Sequence, residues 1–475
     1  MMGRDMTSGH PLKLIIFFSL PMLLGNVFQQ FYSMADTFIV SQTLGMDALA
    51  AVGSVGSILF LILGLAIGLT AGLAVLTAQR FGKKDEAALR RSLGVSLIIV
   101  VVVSIILTIV ATLNTRNILE LMQTPPEIID QAYDYLFIIF LGIGAPVIFN
   151  FLSNILRAIG DSRTPLLFLI VTSLLNVILD YIFILGFDMN VAGAGYATVI
   201  SQLIASILCL IYIKKRVRIL RVKKQDWTTD KTEYKEHLRI GLPYGFQYSI
   251  IAIGAIAIQI TLNQLGATSV AAYTASSKIE QLLTMPLNTM GIAMSTYVAQ
   301  NFGAGEFDRI KQGIKSGMAV ALGYAIFIGV LGLLFGRFLA GFFVEAGNTS
   351  VLDLSEQFFN IQSPFFMLLA LVLVLRPAIQ GLGNSFVPTI AGVLELSARV
   401  IGALILSEFF GFSGAVMSNP LAWVSAAIPL IISVYFTQKI LLHQAPTKLD
   451  FALSLGSKHV YRQAQLMKNT NEEQA

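Results

Sequence analysis

Ala78-Gln79-Arg80-Phe81-Gly82 closes a charge-free run that begins at residue 48, and Ala299-Gln300-Asn301-Phe302-Gly303 ends a matching run about 222 residues further on. The same offset carries Leu20-Pro21 onto Leu242-Pro243, and Leu44-Gly45 with Ala50-Ala51 onto Leu265-Gly266 with Ala271-Ala272. Gly160, Ser162 and Pro165 return as Gly383, Ser385 and Pro388, and Gly193-Ala194 as Gly414-Ala415. One folding unit has been used twice along the chain.

Composition says what solvent that unit meets. Of 475 residues, 55% are apolar and only 12% charged. The mean hydropathy is +0.75. A soluble domain carries about 25% charged residues to dress its surface, so this chain belongs in lipid. Residues 14–35, 48–79, 92–115, 135–156, 164–179, 189–213, 241–277, 281–305, 316–336, 357–375 and 409–438 contain no Asp, Glu, Lys or Arg. Most are long enough for a helix to cross about 30 Å of hydrocarbon. Val387–Phe410 is apolar apart from Glu395, Arg399 and Glu408, and 241–305 must hold two spans. The expected fold is an all-α polytopic membrane protein of twelve transmembrane helices, arranged as two six-helix repeats. Six is even, so both repeats enter the bilayer in the same direction, the parallel-repeat arrangement of secondary transporters.

Basic residues orient the spans, because short cytoplasmic loops collect Lys and Arg. With the amino terminus inside, segments 1–13, 80–91, 157–163, 214–240, 301–315 and 439–475 hold 27 of the 32 basic residues. The expected order is a cytoplasmic segment 1–13, an N-lobe 14–213, a basic linker 214–239, a C-lobe 240–438 and a cytoplasmic tail 439–475, in an inner membrane and as a monomer. The same bias accounts for the sequence pI near 9.1 without nucleic acid. Lys214-Lys215-Arg216-Val217-Arg218 reads as an anchor for lipid headgroups.

Ionisable groups inside a span cost roughly 2.5 to 3.5 kcal/mol on insertion scales and so mark function. In the first repeat Asp36 lies late in the first span, with Tyr32 and Gln29 on its face one and two turns earlier. Asn176 and Asp180 are one i,i+4 step apart in the fifth, and Thr198, Gln202 and Ser206 form a stripe along the sixth. Two carboxylates with an amide and a hydroxyl make a hard-oxygen site that suits Na⁺, or that shares a proton between its acids. Pro21 removes a backbone hydrogen bond and lets the first helix bend. Helix capping, or exposure at the outer surface, is the bland reading of both acids.

The second repeat is polar in another way. Ser277, Glu280, Thr284 and Asn288 line the eighth span, Gln259 and Asn263 share a face of the seventh, and Glu395 with Arg399 reads as a structural ion pair. Met285, Met290 and Met294 suit either core packing or an adaptable cavity wall. No GxxxxGK[ST] phosphate loop occurs, and His10, His237, His443 and His459 show no metal-ligand spacing. The expectation is a non-enzyme without cofactor, driven by an H⁺ or Na⁺ gradient.

The doubled Ala-Gln-x-Phe-Gly segments, the loop Gly160-Asp161-Ser162-Arg163-Thr164-Pro165 and its counterpart Gly381-Leu382-Gly383-Asn384-Ser385 resemble the multidrug and toxic compound extrusion (MATE) family. That resemblance spans roughly residues 12–440. It implies cation-coupled antiport of organic cations and other amphipathic compounds, through a V-shaped cavity between an N-lobe and a C-lobe. It also implies an N-lobe ion site at Asp36, Asn176, Asp180 and Thr198. A different branch of the family carries acids in the seventh and tenth spans, where this chain has Gln259 and Asn263 and no acid between Gln357 and Leu375. Lys278-x-Glu280 is similar to the DinF-type branch. Two other readings are a flippase for a lipid-linked precursor, for which the interior cations are Lys278, Arg376 and Arg399, and a membrane scaffold or receptor that transports nothing.

Overall fold

The computed structural model describes residues 5–227, 230–344 and 348–442, with 450, 454, 460, 461 and 465 beyond them. The rest of the expected tail, including His443 and His459, lies outside the described residues. Among the described residues every regular element is helical. The first half of the chain forms α1 (Pro11–Leu44), α2 (Asp47–Gly82), α3 (Glu86–Leu113), α4 (Ile129–Leu141 and Gly144–Ala158, bent by 46°), α5 (Arg163–Gly186) and α6 (Asn190–Arg216). The second forms α7 (Lys231–Leu265), α8 (Ala267–Gly303), α9 (Phe307–Ala340), α10 (Thr349–Gly381), α11 (Phe386–Phe410) and α12 (Phe412–Leu442). α8 is a continuous helix of 37 residues with Lys278 and Glu280 in its interior. The twelve-helix membrane fold follows.

The repeat is visible in backbone detail. Gly45 and its counterpart Gly266 turn between helices at φ +88° and +98°, and Gly160 and Gly383 do so at +86° and +79°. These are left-handed conformations in which a Cβ is strained, so glycine returns at each. Asp161 Oδ1 accepts from the backbone N–H groups of Arg163 and Thr164 at 3.1 and 3.0 Å, opening α5. Asn384 Oδ1 does the same for Phe386 at 3.1 Å, opening α11. Both helices loosen into one π-helical turn near their far ends, Ile182–Gly186 and Gly402–Leu406. Such turns leave the regular i→i−4 ladder and are frequent at functional sites.

The described residues fall into two compact units. One comprises Leu20–Ser249, and so takes in α1 from Leu20, all of α2 to α6, and the beginning of α7. Inside it, α2 and α7 touch backbone to backbone. A Cβ on Gly68 would lie 2.6 Å from the Tyr244 carbonyl oxygen, one on Gly72 2.8 Å from Gly241 Cα, and one on Gly245 2.7 Å from the Leu65 carbonyl oxygen. Small residues permit this approach, which in lipid supplies the dispersion energy that the hydrophobic effect cannot.

The other unit holds Met6–Ser19 and Ile250 onward. Its apolar core includes Phe358, Phe359, Leu262 and Ile279. Met294 is fully buried and Met285 and Met290 nearly so, which makes them packing residues. In each unit the Ala-Gln-x-Phe-Gly segment secures the chain that leads into a long helix. Arg80 Nη2 donates to Glu233 Oε2 at 2.6 Å. In the second copy Gln300 Oε1 accepts from the Met6 N–H at 3.0 Å, and Asn301 Nδ2 donates to the Met6 carbonyl at 3.1 Å. The motif is therefore a docking point for a helix entrance, and its variable third residue changes the partner's chemistry.

Candidate functional site: a carboxyl pair in the first unit

Asp180 and Asn176 are completely buried on α5, just before its π-turn. Asp36, on α1, brings its carboxyl group close to that of Asp180. Two acids so placed are compatible when a proton or a cation neutralises one of them.

Polar groups from four helices close around the pair. The Tyr32 hydroxyl, one turn before Asp36, hydrogen-bonds the Thr198 side chain on α6. Asn176 Nδ2 donates to Thr198 Oγ1 at 3.4 Å. Tyr135 of α4, buried, faces Asp36, Tyr32 and Asp180. It was missed in the sequence, where it sits at the edge of a charge-free run. Its signal was the face shared with Ala132, Leu136 and Ile139, all buried, at helical spacing. An amide, a hydroxyl and two phenols thus surround two acids at one end of the unit.

Gln29 and Gln202 do not join them. Each lies further along its helix, toward the end of the unit that carries Gly160–Arg163, and both line a separate small chamber with Asn150, Ser153 and Arg157. Gln29 is seven residues from Asp36, about 10 Å along a helix axis. Ser206 spends its hydroxyl on the Ala145 carbonyl at 3.0 Å, tying α6 to α4. Pro21 lies within α1 and on the wall of that chamber.

The second unit holds a charge cluster instead of an acid pair. Glu395 accepts from Arg399 Nη2 at 2.9 Å and from Arg376 Nη2 of α10 at 2.6 Å. Sequence spacing pointed only to Arg399, since Arg376 is on another helix. Glu280 of α8 lies near Arg399. Arg399 also lies over Gly254, where a Cβ would come within 3.1 Å of its Cδ. Gln259 Nε2 donates to Asn263 Oδ1 at 2.8 Å on an exposed face of α7. Thr284 and Asn288 donate to carbonyls one turn back on α8, Glu280 at 2.8 Å and Thr284 at 3.4 Å. These four therefore satisfy one another or their own helix.

Comparison with known proteins places this geometry in context. The MatE family model matches residues 21–182 and again 243–405, one match per repeat. A probable multidrug resistance protein, YoeA of Bacillus subtilis, is 30% identical over 403 residues, covering 82% of this chain and 86% of the relative. The multidrug export protein MepA of Staphylococcus aureus is 22% identical, covering 89% and 93%. Among solved structures, an outward-facing multidrug resistance MATE transporter superposes with a TM-score of 0.86 at 23% identity, covering 93% of this chain and 98% of that one. At that identity the superposition establishes the fold.

Proposed function

The chain belongs to the MatE family of membrane transporters, and from that premise we propose that it exports small amphipathic or cationic compounds in exchange for H⁺ or Na⁺. The observation that carries this reading is the closeness of the Asp36 and Asp180 carboxyl groups inside one unit. Such a pair is stable when a proton or metal cation neutralises it, and repels itself when that cation leaves. Asp36 is on α1, a helix with a proline at Pro21, so a change of charge at the pair is felt by an element that can bend. Loading from one side and release to the other then alternate with two positions of α1.

The substrate class rests on the relatives, which are named multidrug resistance and multidrug export proteins. Asn176 and Thr198 would complete a cation's coordination, and Tyr32 and Tyr135 would hold the carboxyls in place. The proposed setting is a cytoplasmic membrane with both chain ends inside, as the basic residues of the short loops imply. A flippase for a pyrophosphate-linked lipid is less well supported, because Arg376 and Arg399 are both already engaged by Glu395.

Everted vesicles test the proposal. A cationic dye should be moved by the chain under an imposed pH or Na⁺ gradient, and collapsing the gradient with an ionophore should stop it. Dye movement that ignores both gradients would remove ion coupling from the account.

A further inference from the structure

The chamber behind the carboxyl pair contains an unbalanced cation. It offers about 50 Å³ of room and is lined by polar groups, among them Asn26, Gln29, Asn150, Ser153, Arg157 and Gln202, with no acid in its wall. Arg157 stands in the last turn of α4. Its Nη1 donates to Asn154 Oδ1 at 3.1 Å, and its Nε is buried without a partner. Among the described residues Arg157 makes no ion pair, and the ionisable group facing it is the phenol of Tyr248. Ser153, 1% exposed, has a hydroxyl oxygen with no partner, and so does the buried amide oxygen of Gln202.

Arg157 is partly exposed, but its Nε is shut off from water, and a buried donor left unpaired costs about 1 to 3 kcal/mol, more on a charged group. The carbonyl end of α4 offsets part of this, but a helix dipole supplies at most about 2 kcal/mol. Water in the chamber would satisfy Ser153 and Gln202 and leave the charge as it was. An anion would meet all three needs, accepting from the guanidinium and the hydroxyl, and from Gln202 once its amide turns its NH₂ inward. A single water needs roughly 10 to 15 Å³ of such room, so the chamber admits a monatomic anion.

We propose that the chamber formed by Arg157, Ser153 and Gln202 binds a single halide, chloride being the abundant one. Pro21, Met22, Gly25, Asn26 and Gln29 of α1 form one wall, so an occupant braces that helix in the position seen here. This site is distinct from the carboxyl pair, and it stands or falls independently of ion-coupled export.

The test is thermal unfolding of the purified full-length protein in sodium chloride against sodium gluconate at equal ionic strength. A saturable rise in Tm with chloride is expected, absent in Arg157→Gln, with bromide substituting for chloride. Ser153→Ala should fold and weaken the half-saturating chloride concentration by about tenfold, the value of one lost hydrogen bond to an ion. Equal melting in chloride and gluconate, a chloride response kept intact by Arg157→Gln, or an unchanged half-saturation in Ser153→Ala would each overturn the proposal. The serine variant decides the matter if the arginine variant fails to fold.

Discussion

Glu395 shows how a single side chain can hold several helices. Its two oxygens each take a guanidinium, one from its own helix and one from α10, and it is less than a tenth exposed. Neutralising it by Glu395→Gln would leave the Arg376 and Arg399 guanidiniums without the carboxylate that joins them. Breaking a buried pair this way costs about 3 to 5 kcal/mol, so the variant should melt well below the parent in a detergent thermal scan. Removing Arg376 as well should recover part of the loss. An unchanged melting temperature in the single variant would mean that the cluster is hydrated and weak. Sequence spacing found the half of this cluster that lies within one helix, Glu395 and Arg399 at i,i+4. It could not find Arg376, because which turn of α10 meets which turn of α11 is set by packing.

Elements were legible where their signal was periodic or charge-based, and obscure where it depended on backbone contact. Charge-free runs located the spans, and Gly45 with Gly266 marked equivalent corners. The crossing of α2 and the first part of α7 gave no such sign, since glycines in a membrane helix are common. Its close approach at Gly68 and Gly72 leaves no room for a side chain. Gly68→Val should therefore lower stability by several kcal/mol, or force α7 away, through overpacking. Gly53→Ala, where nothing lies within 4 Å of an added Cβ, should be neutral. Equal expression and melting for the two variants would show that the crossing is loose. The π-turns that follow Asp180 and precede Glu408 were equally invisible, because a one-residue change in hydrogen-bond register leaves composition untouched.

At the scale of the whole molecule, the duplicated chain has to secure the segment joining its halves. The first nine residues of α7, 231–239, belong to the basic linker and precede the charge-free run that begins at 241. There His237 is fully buried, its Nδ1–H donating to the Glu233 carbonyl at 2.7 Å while Nε2 accepts from the Ser92 hydroxyl at 2.8 Å. Arg90 holds Asp226 of the linker at 3.1 Å beside it. Burial pulls the His237 imidazole down to about 4, below its ordinary value near 6.5. The fold thus holds the neutral form. Its contribution to stability is complete above about pH 6.5 and is lost as pH falls through about 4. Melting temperature should drop between pH 7 and pH 4, and the drop should shrink in His237→Gln, which keeps hydrogen-bonding groups but does not titrate there. A pH profile identical in both proteins would remove His237 as the cause.

The duplication, the span count and three of the four helices around the acids could be read from the chain alone, since each rests on spacing within one helix. Tyr135 and the anion chamber could not, since they arise where α1, α4, α5 and α6 come together. The central claim is that Asp36 and Asp180 form one ion-loading unit. It is tested most directly by dye efflux in everted vesicles under imposed pH and Na⁺ gradients, comparing the parent with Asp36→Asn, Asp180→Asn and the double variant at matched membrane levels. Each single variant should lose at least tenfold in gradient-driven rate, and the double should be no worse than either, as two halves of one site require. Full efflux in Asp36→Asn, or losses that multiply in the double variant, would contradict the claim.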